Sequence, residues 1–214
     1  MIPSSQIQDL YNPEKSGLII LHDVLDSHTL SQIQNFIQEK QALFELKREK
    51  YIANNQTVFL LYRGGFDFSY FQGTVFEGVM AHYLNLRERV NQESLIPFKK
   101  GNSVEIKLIH YPVSELGVGI HKDLSSNINM IVFYNLVGKA DVKTYSTKDG
   151  KDPVSHHVRA GDATIMRAPR SEDEPDIRPY HAVEEVNVER TVIVIREIDE
   201  ALEEMTNKDN WRGF

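Results

Sequence analysis

The 214-residue chain has no cysteine, which excludes a disulfide framework and thiolate chemistry. It also lacks any apolar run near the roughly 20 residues that a membrane-spanning helix needs. Positive charge is scarce: 24 Lys and Arg against 31 Asp and Glu leave a formal net charge of −7. Phosphate binding by counterion release needs clustered cations. The basic groups here are short, Lys47-Arg48-Glu49-Lys50 being broken by acid and Lys99-Lys100 standing alone. That balance weighs against nucleic acid and favours a small-molecule or peptide substrate. The segment Met1-Ile2-Pro3-Ser4-Ser5-Gln6 lacks the basic start and apolar stretch of a secretory signal, so the expected compartment is the cytoplasm, without a membrane. No repeat, low-complexity tract or flexible linker divides the chain.

With 41% hydrophobic and 26% charged residues, the composition is that of an ordinary globular protein. The length is enough for one domain with a substantial core. Residues 1–16 read as a polar lead-in and Gly17–His22 as a buried strand. Asp26 and Ser27 offer caps for a helix whose apolar positions are Leu30, Ile33, Phe36 and Ile37. Tyr51–Tyr62 reads as extended, with Gly64-Gly65 breaking it. A second helix is expected over Thr74–Asn91, where Val75, Phe76, Val79, Met80, Tyr83 and Leu86 form one stripe suited to packing on a sheet. From residue 103 the texture changes to short strands separated by turn residues. Eight are expected: 103–111, 117–121, 128–136, 141–146, 153–159, 162–168, 179–185 and 189–197. Eight antiparallel strands in two packed sheets make a jelly roll. The expected architecture is therefore a mainly β jelly-roll core over 103–198, covered on one face by helices of an amino-terminal layer over 1–100, all in a single domain.

The chemistry concentrates in His121-Lys122-Asp123, followed by His181 and then Arg190. Residues i and i+2 of an extended segment point to the same side, so His121 and Asp123 can reach one ion. Two imidazoles and one carboxylate form the protein half of a non-haem Fe(II) facial triad, which leaves coordination positions open. Alone, H-x-D is weak in a chain with eight His and 31 acids, and a polar loop tip is its plain alternative. Its context is more specific. Leu108-Ile109-His110-Tyr111-Pro112 and Gly117-Val118-Gly119 precede it. The apolar run Ile128–Leu136, a Gly161-Asp162 turn, Ala163–Met166, Tyr180-His181-Ala182-Val183 and Glu189–Arg196 follow it. This order resembles the 2-oxoglutarate- and Fe(II)-dependent dioxygenases, especially the prolyl-hydroxylase-like branch, over residues 103–198.

The last strand supports the resemblance independently. Residues 190, 192, 194 and 196 share one face, and that face reads Arg, Val, Val, Arg. An inward arginine is costly unless it meets an anion, and its fork matches a carboxylate. The resemblance implies that Arg190 holds the distal carboxylate of 2-oxoglutarate. Arg196 is a second candidate, through a spacing also seen in nucleic-acid demethylases, with a surface strand cap as its alternative. Tyr111 is expected to hydrogen-bond the co-substrate or else to pack in the core. Tyr134 resembles a co-substrate tyrosine of the third core strand, with Phe133 as the inward residue if the register differs. The acidic segment Ser171–Asp176 reads as a solvated loop or a lid, and His156-His157 as surface. The retained carboxylate Asp123 favours hydroxylation or a related oxidation, because halogenating members carry a small residue there. Rival readings are a cupin-like metalloenzyme that does not use 2-oxoglutarate, an AlkB-like demethylase and a degenerate sensor barrel.

Overall fold

A computed structural model describes residues 3–39, 49–53, 56–65, 72–100, 103–111, 113, 118–170, 174–184 and 187–199. Eight strands form the expected core: β4 (Ser103–Tyr111), β5 (Val118–His121), β6 (Asn127–Val137), β7 (Lys139–Tyr145), β8 (Val154–Arg159), β9 (Ala163–Arg167), β10 (Tyr180–Glu184) and β11 (Arg190–Ile198). Three more precede them: β1 (Leu18–Leu21), β2 (Glu49–Ala53) and β3 (Gln56–Gly65). The larger sheet has the order β1-β9-β6-β11-β4-β3-β2 and the smaller β5-β10-β7-β8. Every ladder is antiparallel. This is a double-stranded β-helix, a jelly roll whose larger sheet gains three edge strands from the amino-terminal layer.

Alternation along the central strands splits the core in two. On β6, Met130, Val132, Tyr134 and Leu136 pack under the helices, whereas Ile131 and Phe133 face the smaller sheet. On β11, Ile193 and Ile195 join the first cluster, and Val192 and Val194 the second. The helices are α1 (Ser4–Tyr11), α2 (Ser27–Glu39) and α3 (Glu77–Glu93). Asp26 caps α2 by accepting the Thr29 amide at 2.9 Å and the Thr29 hydroxyl at 2.7 Å. The α3 stripe is buried as the spacing predicts, with Val79 and Tyr83 fully enclosed. Helix α1 corrects the polar lead-in: Ile7 and Leu10, one turn apart, bury completely against the core. Gly64 and Gly65 are the last two residues of β3. Pro112 and Gly117 lie outside the described residues. Among the described residues no helix is long and apolar enough to cross a membrane.

At the turn between β6 and β7 the chain leaves one sheet for the other at Gly138, where φ is +77°. A side chain there would overlap the Glu189 carbonyl, so only glycine lets this turn press against the residue before Arg190.

On the helix side, Glu197 is 1% exposed. It accepts two hydrogen bonds from Arg87 at 2.7 and 2.8 Å, one from Asn129 at 2.8 Å and one from Tyr83 at 3.3 Å. Breaking a buried ion pair from one side typically costs about 3–5 kcal/mol. The Arg87 side chain is 32% exposed and can rehydrate, which places this pair at the lower end. Glu197→Ala is expected to lower the unfolding free energy by about 3 kcal/mol in urea titrations, and a change under 1 kcal/mol would contradict this account of the helix–sheet junction.

Candidate metal centre

The smaller sheet brings the two histidines together. His121 ends β5, His181 is the second residue of β10, and the two are direct partners in the β5–β10 ladder. Their ring centroids are 4.3 Å apart. Asp123 follows two residues after β5 and turns back so that its Oδ2 lies 3.7 Å from His181 Nε2. One donor atom from each of the three residues falls within 4.8 Å of the others, the spread that a shared ion requires.

Backbone carbonyls orient both rings. His121 Nδ1 lies 2.8 Å from the Gly119 oxygen and His181 Nδ1 lies 3.3 Å from the Pro179 oxygen. A carbonyl only accepts, so each ring donates from Nδ1 and leaves the Nε2 lone pair for a metal. Burial, partly opposed by the nearby Asp123 charge, holds His181 down at about 4, so its ring is neutral near pH 7.

Burial alone would raise the Asp123 carboxyl, but positive neighbours, Arg196 foremost, hold it below the usual range. Its Oδ1 accepts from Arg196 Nη2 at 2.7 Å. Its Oδ2 is buried without a hydrogen-bond partner. An unsatisfied buried carboxylate oxygen is costly, and here it sits beside an imidazole Nε2. Two imidazole nitrogens and one carboxylate oxygen therefore fit a divalent cation such as Fe(II).

Beside the triad, a cavity of about 210 Å³ opens between the sheets. Its walls are largely apolar, with Ile109, Val118, Phe133, Met166 and Val183 among them. Arg190 also lines it, at 2% exposure. Its Nε and Nη2 donate to a single neutral acceptor, Asn135 Oδ1, at 2.9 and 2.8 Å, and its guanidinium carbon lies 5.4 Å over the Tyr111 ring. No carboxylate pairs with it among the described residues. Burial pulls its pKa down, yet an arginine stays charged at neutral pH.

Tyr111, part of the core cluster between the sheets, lines the same cavity. Tyr134 does not. It points to the opposite face of β6, where its hydroxyl lies 2.8 Å from His82 Nδ1 in the helix-side core. Phe133 takes the inward position, because its partner across the ladder is the inward Val194. Arg196 is no surface cap: its side chain is 14% exposed and bridges Asp123 to Glu105, which it meets at 3.2 Å. It differs from Arg190 in having two carboxylate partners. Within the acidic segment, residues 171–173 lie outside the described residues. Glu174 folds back onto Arg170 at 2.5 Å, and Asp176 onto Arg178 at 2.7 Å. Burial pushes Asp176 up, but Arg178 and Lys122 outweigh it and hold the carboxyl at about 2. The described acids of this segment are thus struts rather than free charges. His157 is exposed as expected, yet it does meet an acid, Asp141 of the neighbouring strand.

Sequence reasoning missed Asn135 and Arg178. Asn135 carries a signal, as a polar residue within an apolar strand at the parity of Phe133. Arg178 carries none that spacing reveals.

No family model matches the chain, and no curated protein matches it significantly in sequence. Solved structures do match across most of its length. A prolyl hydroxylase from Trichoplax adhaerens, in complex with a hypoxia inducible factor oxygen degradation domain peptide fragment, superposes with a TM-score of 0.64 at 15% identity, over 95% of this chain and 93% of the other. A Pseudomonas putida prolyl-4-hydroxylase gives 0.63 at 16% identity, over 91% and 98%. The non-haem α-ketoglutarate-dependent epimerase SnoN from nogalamycin biosynthesis gives 0.58 at 12%, over 92% and 84%. The chain has the fold of the 2-oxoglutarate- and Fe(II)-dependent oxygenases. In this fold His121, Asp123 and His181 stand at the cavity that Arg190 also lines.

Anaerobic titration is expected to load about one Fe(II) per chain, with binding abolished in His181→Ala and in His121→Ala. Unchanged stoichiometry and affinity in both variants would remove the triad as the metal site.

Proposed function

We propose that the chain is a non-haem Fe(II)- and 2-oxoglutarate-dependent dioxygenase. In this reading it hydroxylates an unactivated C–H bond of a small metabolite or a peptide side chain, with one oxygen atom entering the product and 2-oxoglutarate leaving as succinate and CO2. The observation that carries the reading is Arg190, a dry guanidinium facing the triad's cavity with only an amide oxygen to satisfy it among the described residues. A dicarboxylate reaching from the metal to that arginine supplies the missing anion. A cupin-like enzyme without 2-oxoglutarate gives Arg190 no role. The net charge of −7 disfavours a nucleic-acid substrate, although the two-arginine spacing is shared with demethylases.

Each residue's task follows from its place. His121, Asp123 and His181 hold the metal through Nε2, Oδ2 and Nε2, and when bound the Fe(II) supplies O2 activation and C–H cleavage. Arg190 grips the distal carboxylate of 2-oxoglutarate, and Asn135 holds the guanidinium in place for it. Tyr111 stacks beneath the guanidinium and fixes its plane. The apolar walls keep water from the reacting atoms, which strengthens the ionic contact with Arg190.

Removing one member of a buried charge pair typically costs about 2–5 kcal/mol, roughly 30-fold to several thousand-fold in affinity. Arg190→Ala should therefore lose most 2-oxoglutarate affinity while keeping iron, and Arg190→Lys should keep part of it. Unchanged 2-oxoglutarate affinity in Arg190→Ala contradicts the assignment. Succinate release against a metabolite and peptide library identifies the substrate.

The retained Asp123 carboxylate leaves no vacancy for a halide. Mass spectrometry of the product formed under 18O2 should then show one labelled oxygen, and no chlorinated product even at high chloride. A chlorinated product from the unmodified protein would show that Asp123 is misread.

A further inference from the structure

His121 and His181 are held by the β5–β10 ladder, but Asp123 is not. It lies beyond the end of β5, in the segment that leads to β6, where the ladder has stopped. Arg196 of β11 holds its Oδ1, and its backbone is held from across the gap by the segment that leads into β10. Arg178, three residues before His181 and 8% exposed, donates from Nη1 to the Asp123 carbonyl at 2.6 Å and also to the Leu124 carbonyl. Its Nε donates to Asp176 Oδ1 at 2.7 Å, and its own amide donates to the same oxygen at 3.2 Å. Asp176 Oδ2 accepts from Lys122 Nζ at 3.1 Å. Lys122 stands between the two ligands of the H-x-D motif, and its ammonium lies 4.7 Å over the ring of Tyr180, which directly precedes His181.

The two ligand-bearing segments are thus tied twice, once through backbone carbonyls and once through side chains. We propose that Asp176 and Arg178 are positioning residues of the metal centre: a clamp that sets the Asp123 backbone at the distance from His181 that a shared ion needs. The geometry gives each group one task. The Arg178 fork spans two carbonyls and a carboxylate, which no other side chain does with a single planar group. Asp176 fixes the plane of that fork and links it to Lys122. The clamp rests on the assignment of His121, Asp123 and His181 as ligands.

Outer partners of metal ligands typically contribute 10–100-fold to metal affinity. With Mn(II) as a redox-silent probe read by electron paramagnetic resonance, Arg178→Gln is expected to weaken binding about 10–100-fold, and Arg178→Lys and Asp176→Asn by less. The control is Arg170→Gln. Arg170 forms a comparable buried pair with Glu174 just upstream, and contacts no part of the H-x-D segment among the described residues. It should lower the melting temperature of the metal-free protein and leave Mn(II) affinity alone. Should Arg178→Gln fail to fold, Arg178→Lys and Asp176→Asn carry the test. The clamp is overturned if the Arg178 and Asp176 variants bind Mn(II) as the unmodified protein does, or if Arg170→Gln weakens binding as much as Arg178→Gln. Absence of Mn(II) binding in the unmodified protein would instead remove the metal centre itself.

Discussion

The rest of the structure answers to charges carried on a strand with almost no water around it. Strand β11 is paired on both edges, by β6 and β4, and packed on both faces. A central strand of this kind is normally all apolar, yet β11 carries Arg190, Arg196 and Glu197. Desolvating a charge costs several kcal/mol unless partners are in place, so each of the three dictates what stands opposite it. Glu197 collects Arg87, Tyr83 and Asn129 on the helix side and so docks α3 on the sheet. On the other face, Arg196 takes Glu105 and Asp123. Among the described residues Arg190 finds only an amide oxygen and an aromatic face. Two of the charges build the fold, and the third remains available to a ligand.

This also accounts for what the sequence could and could not reveal. The eight core strands were legible because glycines, Asp-containing turns and apolar runs punctuate residues 103–198 at regular intervals. The two ends of β11 were legible as one face because Arg190 and Arg196 differ by an even number of residues. Tyr134 was misplaced for a related reason. Strand β6 is buried on both sides, its apolar run shows no alternation, and the asparagines that interrupt it, Asn129 and Asn135, meet partners on opposite faces. Helix α1 was missed because two apolar residues in eight make too short a stripe to register. The extension of the larger sheet by β1 on one edge and by β3 and β2 on the other depends on which edges lie exposed, a tertiary fact that local pattern does not carry.

The candidate site divides in the same way. The identities of His121, Asp123, His181 and Arg190 follow from chemistry and spacing. The restraints that make them a site come from residues with no motif: Gly119 and Pro179 through their carbonyls, Asn135 through one oxygen, and Arg178 through a fork. Such contacts are spread over three segments, and two of them use a backbone carbonyl that every residue possesses. Their partners become visible only once the chain has folded.

The solved structures of this fold include prolyl hydroxylases and an epimerase, so the scaffold alone leaves the reaction open. In this chain Asp123 is held from two sides. With Oδ1 committed to Arg196 and the backbone carbonyl to Arg178, the carboxylate has one oxygen without a hydrogen-bond partner, and that oxygen lies 3.7 Å from His181 Nε2. On the proposed reading, a carboxylate free to rotate would offer both oxygens to the ion. Arg196 works against this by holding Oδ1. Its own charge is affordable there because Glu105 takes its other nitrogen at 3.2 Å. The row Glu105–Arg196–Asp123 thus leaves one carboxylate oxygen unpaired at the cavity, and the same strand presents Arg190 to the cavity from its other end.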